Sequence, residues 1–204
     1  MCGIVGIHGD QDPAWIHALS KNIAHRGPDD SGVYRSSDDG LSLAMRRLAI
    51  IDMDGGRQPM TTKNGRYTII FNGEIFNAPE LRRDLEARGV SFESDHSDTE
   101  ILLQGFALDG ENVLARLNGM FAFAIFDNLE KTLFCARDRF GIKPFYYYSS
   151  AAHFAFASEL KSLMALPFVD RSLNSESLYH YASLMFVPGP ATILGAVRKL
   201  PPAH

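Results

Sequence analysis

The chain opens with Met1-Cys2-Gly3-Ile4-Val5-Gly6-Ile7-His8, and this stretch decides how the rest is interpreted. Its apolar, β-branched residues, bounded by Gly3 and Gly9, predict a strand over Cys2–His8. Removal of Met1 would leave Cys2 with a thiol and a free α-amine, two groups that exchange protons near neutral pH. The amine can then act as the base for a thiol nucleophile. The alternative is a structural cysteine that packs as a small hydrophobe.

Composition narrows the class of protein. The 204 residues are 46% apolar and carry a net charge of -4, which allows one large domain or two small ones with a real core. Both signs of charge are scattered without a basic stripe, so nucleic acid is not an expected partner. No long apolar run or secretory signal is seen, so we expect a cytoplasmic protein without membrane contact.

Two cysteines, Cys2 and Cys135, are too few for a disulfide scaffold of this size. Cys135 lies in an apolar strand pattern and is expected to be an inert part of the core. Neither Cys-x-x-Cys nor His-Glu-x-x-His spacing occurs, so we expect no metal site.

The secondary-structure patterns fall into strands, then helices, then strands. The strands are predicted at Cys2–His8, Gly32–Tyr34, Leu41–Arg46, Arg66–Asn72, Met120–Asp127, Thr132–Arg137, Phe145–Ser149 and His153–Ala157. The helices are predicted from Asp12 to about Ala24, from a capping box at Asn77 to about Arg88, from Asp98 to about Leu108 after a second box at Ser97, over Glu111–Leu117, and over Ser175–Leu184. This order favours antiparallel sheets with packed helices over a doubly wound parallel sheet.

Several clusters are typical of one enzyme family. With the opening stretch, the clusters His25–Asp29, Arg46–Asp52, Phe71–Ile75 and Ser97–Glu100 resemble the glutaminase domain of class II glutamine amidotransferases. Three further segments resemble its asparagine synthetase branch: Gly55–Pro59, Ala136–Pro144 and Ala157–Lys161. The resemblance covers nearly the whole chain.

The resemblance implies an α+β fold, a four-layer αββα N-terminal-nucleophile hydrolase sandwich of two mainly antiparallel sheets. It implies a glutaminase domain over residues 1–165. After Met164, proline-rich pairs such as Pro201-Pro202 predict a linker, so residues 166–204 are expected to lead into a synthetase domain that the chain does not complete.

The implied reaction is release of ammonia from glutamine through Cys2. Attack on an amide needs two fixed donors for the oxyanion, and Asn72 and Gly73 are the predicted pair. The alternative for Asn72-Gly73 is a hairpin turn, for which the dipeptide is a strong signal. A helix start follows it, which weakens that alternative.

The residues that match the family's substrate-binding positions are Arg47, Leu48, Ile50, Glu74 and Asp98. The planar fork of Arg47 suits the α-carboxylate of glutamine, whereas Glu74 and Asp98 suit its α-ammonium. Arg47 could instead be a surface arginine at a strand end, and Asp98 would be favoured at a helix start in any case.

Other features limit the match. The role of His25–Asp29 stays open between a site beside the cleft and a polar turn, and Met45 stands where relatives commonly carry histidine. The family's Ser-Gly-Gly-x-Asp ATP loop is absent, so the chain is not expected to be the complete synthetase.

The resemblance implies no cofactor in this domain and assigns ATP and magnesium to the synthetase domain. It names L-glutamine and that domain as partners and leaves room for a homodimer. Two alternatives remain: the same glutaminase half serves a sugar, peptide or secondary-metabolite acceptor, or the domain only packs against a partner with Met1 retained.

Overall fold

The computed structural model describes residues 1–10, 12–50, 52 and 55–204. Its strands are β1 (Gly3–Gly9), β2 (Asp30–Ser36), β3 (Leu41–Arg47), β4 (Met60–Thr61), β5 (Tyr67–Ile75), β6 (Gly119–Asp127), β7 (Thr132–Arg137), β8 (Tyr146–Ser149), β9 (His153–Ala157) and β10 (Val197–Lys199). Its helices are α1 (Pro13–Asn22), α2 (Ala78–Ala87), α3 (Asp98–Asp109), α4 (Leu160–Leu163) and α5 (Ser175–Leu184), with 3₁₀ turns at Ala24–Arg26 and Gly110–Arg116.

The strands form two antiparallel sheets. The larger has the order β10-β8-β9-β1-β3-β2, and the smaller has the order β4-β5-β6-β7. The opening strand β1 is therefore central in its sheet, with β3 on one side and β9 on the other. Its central place holds the residue before it, Cys2, at one end of the sheet.

Side chains alternate between the faces of each strand and so build three separate cores. In β1, Val5 and Ile7 pack outward with helix α1, whereas Ile4 packs inward against the second sheet. In β5, Phe71 packs outward with α2 and α3, and Ile70 packs inward. The layers therefore run helix, sheet, sheet, helix, which confirms the predicted α+β sandwich.

Strand β5 is longer than its pattern predicts. It continues to Ile75, and Asn72 and Gly73 pair with Ala122 and Phe121 of β6. The hairpin alternative for Asn72-Gly73 is therefore wrong, and so is the prediction that the strand ends there. The long apolar partner β6 holds the backbone extended through a dipeptide that favours turns when it is isolated.

The two predicted capping boxes form differently. Ser97 accepts a hydrogen bond from the Glu100 N–H (3.4 Å), but the Glu100 carboxylate turns away to the N–H groups of Glu93 and Ser94. Asn77 makes no side-chain cap. Its amide joins the Arg116 carbonyl and the Asn118 N–H instead, so the expectation of a box at Asn77 is wrong.

Residues 166–204 lie against the larger sheet. Leu166, Val169 and Leu194 pack into the core beneath α1, and β10 pairs with β8. The predicted helix at Ser175–Leu184 is present as α5. The division between a domain ending at 165 and a following segment stays a prediction.

Candidate active site

A cavity of about 210 Å³ lies where the ends of the two sheets meet. Its described lining brings together every predicted site residue: Cys2, Arg47, Leu48, Ile50, Asn72, Gly73, Glu74 and Asp98. It also holds residues that were not predicted for the site: Met1, Gly56, Gln58, Phe71, Thr99, Met120 and Lys143. Met1 and Lys143, which are 142 positions apart in the sequence, thus share one small space.

Cys2 is held by backbone groups of a neighbouring segment. The Leu48 N–H donates to its sulfur at 3.4 Å, and the sulfur lies 3.6 Å from the Leu48 carbonyl oxygen. The arrangement fixes the Cys2 sulfur at the cavity, whose described lining contains no histidine.

Arg26 anchors the backbone of Cys2. Its Nε donates to the Cys2 carbonyl at 2.9 Å, and its Nη1 pairs with Glu159 at 3.1 Å. Its side chain is mostly buried, so solvent weakens this pair little. The sequence motif that contains Arg26, His25–Asp29, predicts no role for this residue, because its partner Glu159 lies far along the chain.

The edge of β5 supplies hydrogen-bond donors to the cavity. The Phe71 N–H donates to Gln58 Oε1 at 2.6 Å, and the Ile75 N–H donates to Asp98 Oδ2 at 3.1 Å. Because alternate residues of a strand direct their N–H groups to the same edge, the Gly73 N–H between them points the same way. The short strand β4 pairs only with Thr68 and Ile69 of β5, so it leaves the rest of this edge uncovered, and Phe71 and Gly73 line the cavity there.

The amide of Asn72 is a second donor. Asn72 is 1% exposed, and its Nδ2 has no hydrogen-bond partner among the described residues. A buried donor without an acceptor costs about 1–3 kcal/mol. Strand alternation turns its side chain to the same face as Ile70, the inward face towards Cys2. Asn72 and Gly73 therefore present two adjacent donors at one end of the cavity.

Arg47 is 5% exposed at the end of β3. Its Nη2 donates to the Asp52 carbonyl at 2.6 Å, and a Cβ on Gly56 would lie only 2.3 Å from that nitrogen. Glycine at position 56 thus leaves room for the guanidinium. The alternative of a surface arginine is wrong, because Arg47 is buried and its guanidinium contacts Asp52 and Gly56.

The carboxyl group of Asp98 has a raised pKa. Burial raises its pKa to about 6 and Glu74 adds to the rise, although backbone N–H groups of Ile75 and Thr99 oppose it. The site thus holds an acidic pair, Asp98 at the start of α3 and Glu74 in β5. A cation between the two carboxylates would restore full ionisation.

Three other predicted features lie outside the cavity lining. His25 pairs with Glu159, and Asp29 accepts the Ala49 N–H at 2.9 Å. Met45 is buried between the sheets, so it does not alter the polarity of the cavity. Cys135 packs against the same inner core, and burial raises the pKa of its thiol to about 12. That agrees with an inert thiol.

The described residues contain no group of three or more His, Cys, Asp or Glu side chains placed to hold a metal ion. Within that same part of the chain, no helix has the length and hydropathy needed to cross a membrane.

The chain matches a known protein family over its full length. A family model described as the glutamine amidotransferase domain matches residues 1–204. The chain belongs to the glutamine amidotransferase family. The family resemblance predicted from the motifs is therefore confirmed, and within that family the chain is similar to asparagine synthetases.

Two curated relatives come from Bacillus subtilis strain 168. The glutamine-hydrolysing asparagine synthetase 1 is 42% identical over 210 residues, which cover 99% of this chain and 32% of the relative. The glutamine-hydrolysing asparagine synthetase 3 is 39% identical over 212 residues, which cover 100% of this chain and 34% of the relative. The chain thus spans about a third of the length of these relatives.

A solved structure supports the fold. Glutamine phosphoribosylpyrophosphate amidotransferase from B. subtilis superimposes with a TM-score of 0.66 at 21% identity, over 80% of this chain and 43% of that one. The amidotransferase fold is therefore shared at low sequence identity.

Proposed function

We propose that this amidotransferase domain hydrolyses L-glutamine to glutamate and ammonia with Cys2 as the N-terminal nucleophile. The observation that carries the proposal is the convergence of Cys2, Asn72 and Gly73 on one cavity, together with the buried Asn72 Nδ2 that has no acceptor among the described residues. A carbonyl oxygen of a bound amide would supply that acceptor.

The first step forms a bond between Cys2 Sγ and the side-chain carbonyl carbon of glutamine. The thiol proton passes to the α-amine that is freed when Met1 is removed. Asn72 Nδ2 and the Gly73 N–H bind the oxyanion that results, and such a donor typically contributes about a hundred- to a thousandfold in rate.

Breakdown of this intermediate breaks the carbon–nitrogen bond. The α-amine returns its proton to the departing nitrogen, so ammonia leaves and a glutamyl thioester remains on Cys2. Water then attacks the thioester, and the products are glutamate and the free thiol. No cofactor takes part in these steps.

The amino-acid end of the substrate would lie on the opposite side of the cavity. The Arg47 guanidinium would bind the α-carboxylate, while Asp98 and Glu74 would bind the α-ammonium. Leu48 and Ile50 would line the aliphatic part of the substrate. One fixed cation and two fixed acids would favour free glutamine over simple amides that lack the amino-acid group.

We extend the proposal to the use of the ammonia in a longer protein that would contain this domain. Identity of about 40% to asparagine synthetases supports transfer of the ammonia to aspartate, activated with ATP and magnesium in a C-terminal synthetase domain. We place the reaction in the cytoplasm, where both thiols would stay reduced. A sugar or peptide acceptor would leave the glutaminase half unchanged.

The direct test is glutamate release from glutamine by purified protein whose mass shows loss of Met1. The wild-type chain should release glutamate, and Cys2→Ala should not. Equal rates in both proteins would refute the proposed nucleophile. Protein that retains Met1 is the matched control, because Met1 lines the cavity and acylation of the Cys2 amine removes the base.

A further inference from the structure

Lys143 is a buried cation that the proposed reaction does not use. The residue is 6% exposed and lines the same cavity as Cys2, Asn72 and Gly73. Its ammonium forms no hydrogen bond or ion pair with any residue that the structure describes. The ammonium is not among the fully buried polar atoms without a partner, so it keeps contact with the cavity, where a ligand that carries negative charge would pair with it.

The loop before Lys143 is built to hold it in place. The fully buried carboxylate of Asp138 accepts N–H groups of Phe140 (3.0 Å), Ile142 (2.9 Å) and Lys143 itself (3.0 Å). Burial raises the pKa of Asp138, but these backbone donors outweigh that effect and lower it. The Arg137 guanidinium donates to the Lys143 carbonyl at 2.6 Å.

The same carboxylate ties the loop to one end of the cavity. Asp138 Oδ2 also accepts the Phe121 N–H at 3.2 Å, and Phe121 is the cross-strand partner of Gly73. Lys143 is thus attached to β6, the strand that pairs with Asn72 and Gly73. Asp98, by contrast, is bonded to Ile75, further along β5.

The charges of free glutamine leave Lys143 unmatched. Among the described lining residues, the charged side chains are Arg47, Lys143, Glu74 and Asp98. The α-carboxylate uses Arg47, and the α-ammonium uses the two acids. The side-chain amide is neutral, so a second cation gains nothing from the bound substrate.

Negative charge appears at that end only during the reaction. It develops on the carbonyl oxygen during attack, and it returns as the γ-carboxylate of glutamate. We propose that the Lys143 ammonium binds this developing charge and the γ-carboxylate of the product. It would act with Asn72 and Gly73 as a third element of the oxyanion site. This inference rests on the proposed glutaminase function.

A charge that binds the transition state but not the bound substrate raises kcat and leaves KM unchanged. Lys143→Met should therefore lower kcat by about 10- to 100-fold with KM for glutamine within about threefold. Lys143→Arg keeps the charge and should retain more activity than Lys143→Met. Melting temperatures of both variants would show that the fold is intact.

A second readout does not depend on turnover. In a Cys2→Ala background, calorimetry gives the affinities of glutamine and of glutamate separately. Lys143→Met should lower the affinity for glutamate about tenfold and leave the affinity for glutamine nearly unchanged. Lys143→Gln provides the same comparison with a polar side chain if the methionine variant does not fold.

The outcomes separate the two proposals. An unchanged kcat, or an equal loss of affinity for glutamate and glutamine, would overturn the role of Lys143 and leave the glutaminase intact. Absence of Cys2-dependent hydrolysis in the wild-type chain would overturn the proposed function itself. A selective loss of glutamate affinity and of kcat would support both.

Discussion

At the scale of single residues, the site is defined by polar groups that the fold leaves without ordinary partners. Asn72 is buried with its amide nitrogen unbonded among the described residues, whereas nearby Gln58 is fully used, with its amide joining the Phe71 N–H and the Thr99 hydroxyl. The hydrogen bonds of the folded chain therefore account for the buried Gln58 amide. Asn72 needs a ligand to explain it.

Asn72→Ala tests this distinction. Because its Nδ2 makes no hydrogen bond within the described fold, the substitution should lower the melting temperature only slightly. It should lower kcat for glutamine hydrolysis by about a hundred- to a thousandfold. Gln58→Ala is the matched control, which should lower thermal stability because it strands the Phe71 N–H. A large loss of stability with normal turnover in Asn72→Ala would contradict the assignment.

Asp98 predicts how substrate binding depends on pH. Its carboxyl must be ionised to bind an ammonium group, and burial raises its pKa to about 6 in the unliganded site. Glutamine affinity in Cys2→Ala should therefore fall as the pH drops through about 6. Calorimetry between pH 5 and 8, chosen to bracket about 6, would measure it. An affinity that is flat across this interval would argue against Asp98 as the ammonium ligand.

The same shift has an opposite consequence for stability. Between its ordinary value of 3.8 and about 6, Asp98 binds more proton in the folded chain than in the unfolded chain. Its contribution to the free energy of unfolding is therefore greatest at low pH and is lost as pH rises through this window. Asp98→Asn should unfold at a higher temperature than wild type at pH above about 7 while losing glutamine affinity.

At the scale of elements, the site depends on close contact between β5 and β6. A Cβ on Gly73 would lie 2.4 Å from the Met120 carbonyl oxygen and 2.8 Å from the Phe121 Cα. Both are backbone atoms that cannot turn aside. The glycine that supplies a donor N–H therefore also allows the two strands to approach.

Gly73→Ala should destabilise the chain by about 2 kcal/mol or more, because the strand pair must separate. Gly195→Ala is a matched control, since its nearest neighbour would be the Ser172 carbonyl oxygen at 3.9 Å. It should change stability by about 0.5 kcal/mol or less. Urea unfolding of both variants measures the difference, and similar midpoints for the two would show that the contact does not matter.

The elements also show what local patterns can predict. Strands such as β6, with its run of Phe and Ala, are evident in the sequence because long apolar stretches bounded by turns favour them. The continuation of β5 through Asn72-Gly73 was not evident, because it depends on pairing with a strand almost fifty residues later. The Asn77 cap failed for the same reason, since distant Asn118 attracts its amide.

At the scale of the whole molecule, two sheets and three cores place the reactive groups on facing edges. Cys2 precedes the first strand of the larger sheet, Asn72 and Gly73 come from the smaller sheet, and the Leu48 backbone contacts the Cys2 sulfur. The motifs predicted which residues belong to the cavity. They did not predict Arg26 or Lys143, whose importance comes from burial and from unmatched charge that only the folded chain reveals.

The central claim is that a glutamyl thioester forms on Cys2. Hydroxylamine added during hydrolysis intercepts such an acyl-enzyme and yields γ-glutamyl hydroxamate, even when the intermediate does not accumulate. The account predicts that hydroxamate forms at the expense of glutamate in Met-free wild-type protein and is absent in Cys2→Ala. Glutamate release that continues without hydroxamate at any hydroxylamine concentration would contradict the account, because water would then attack glutamine directly.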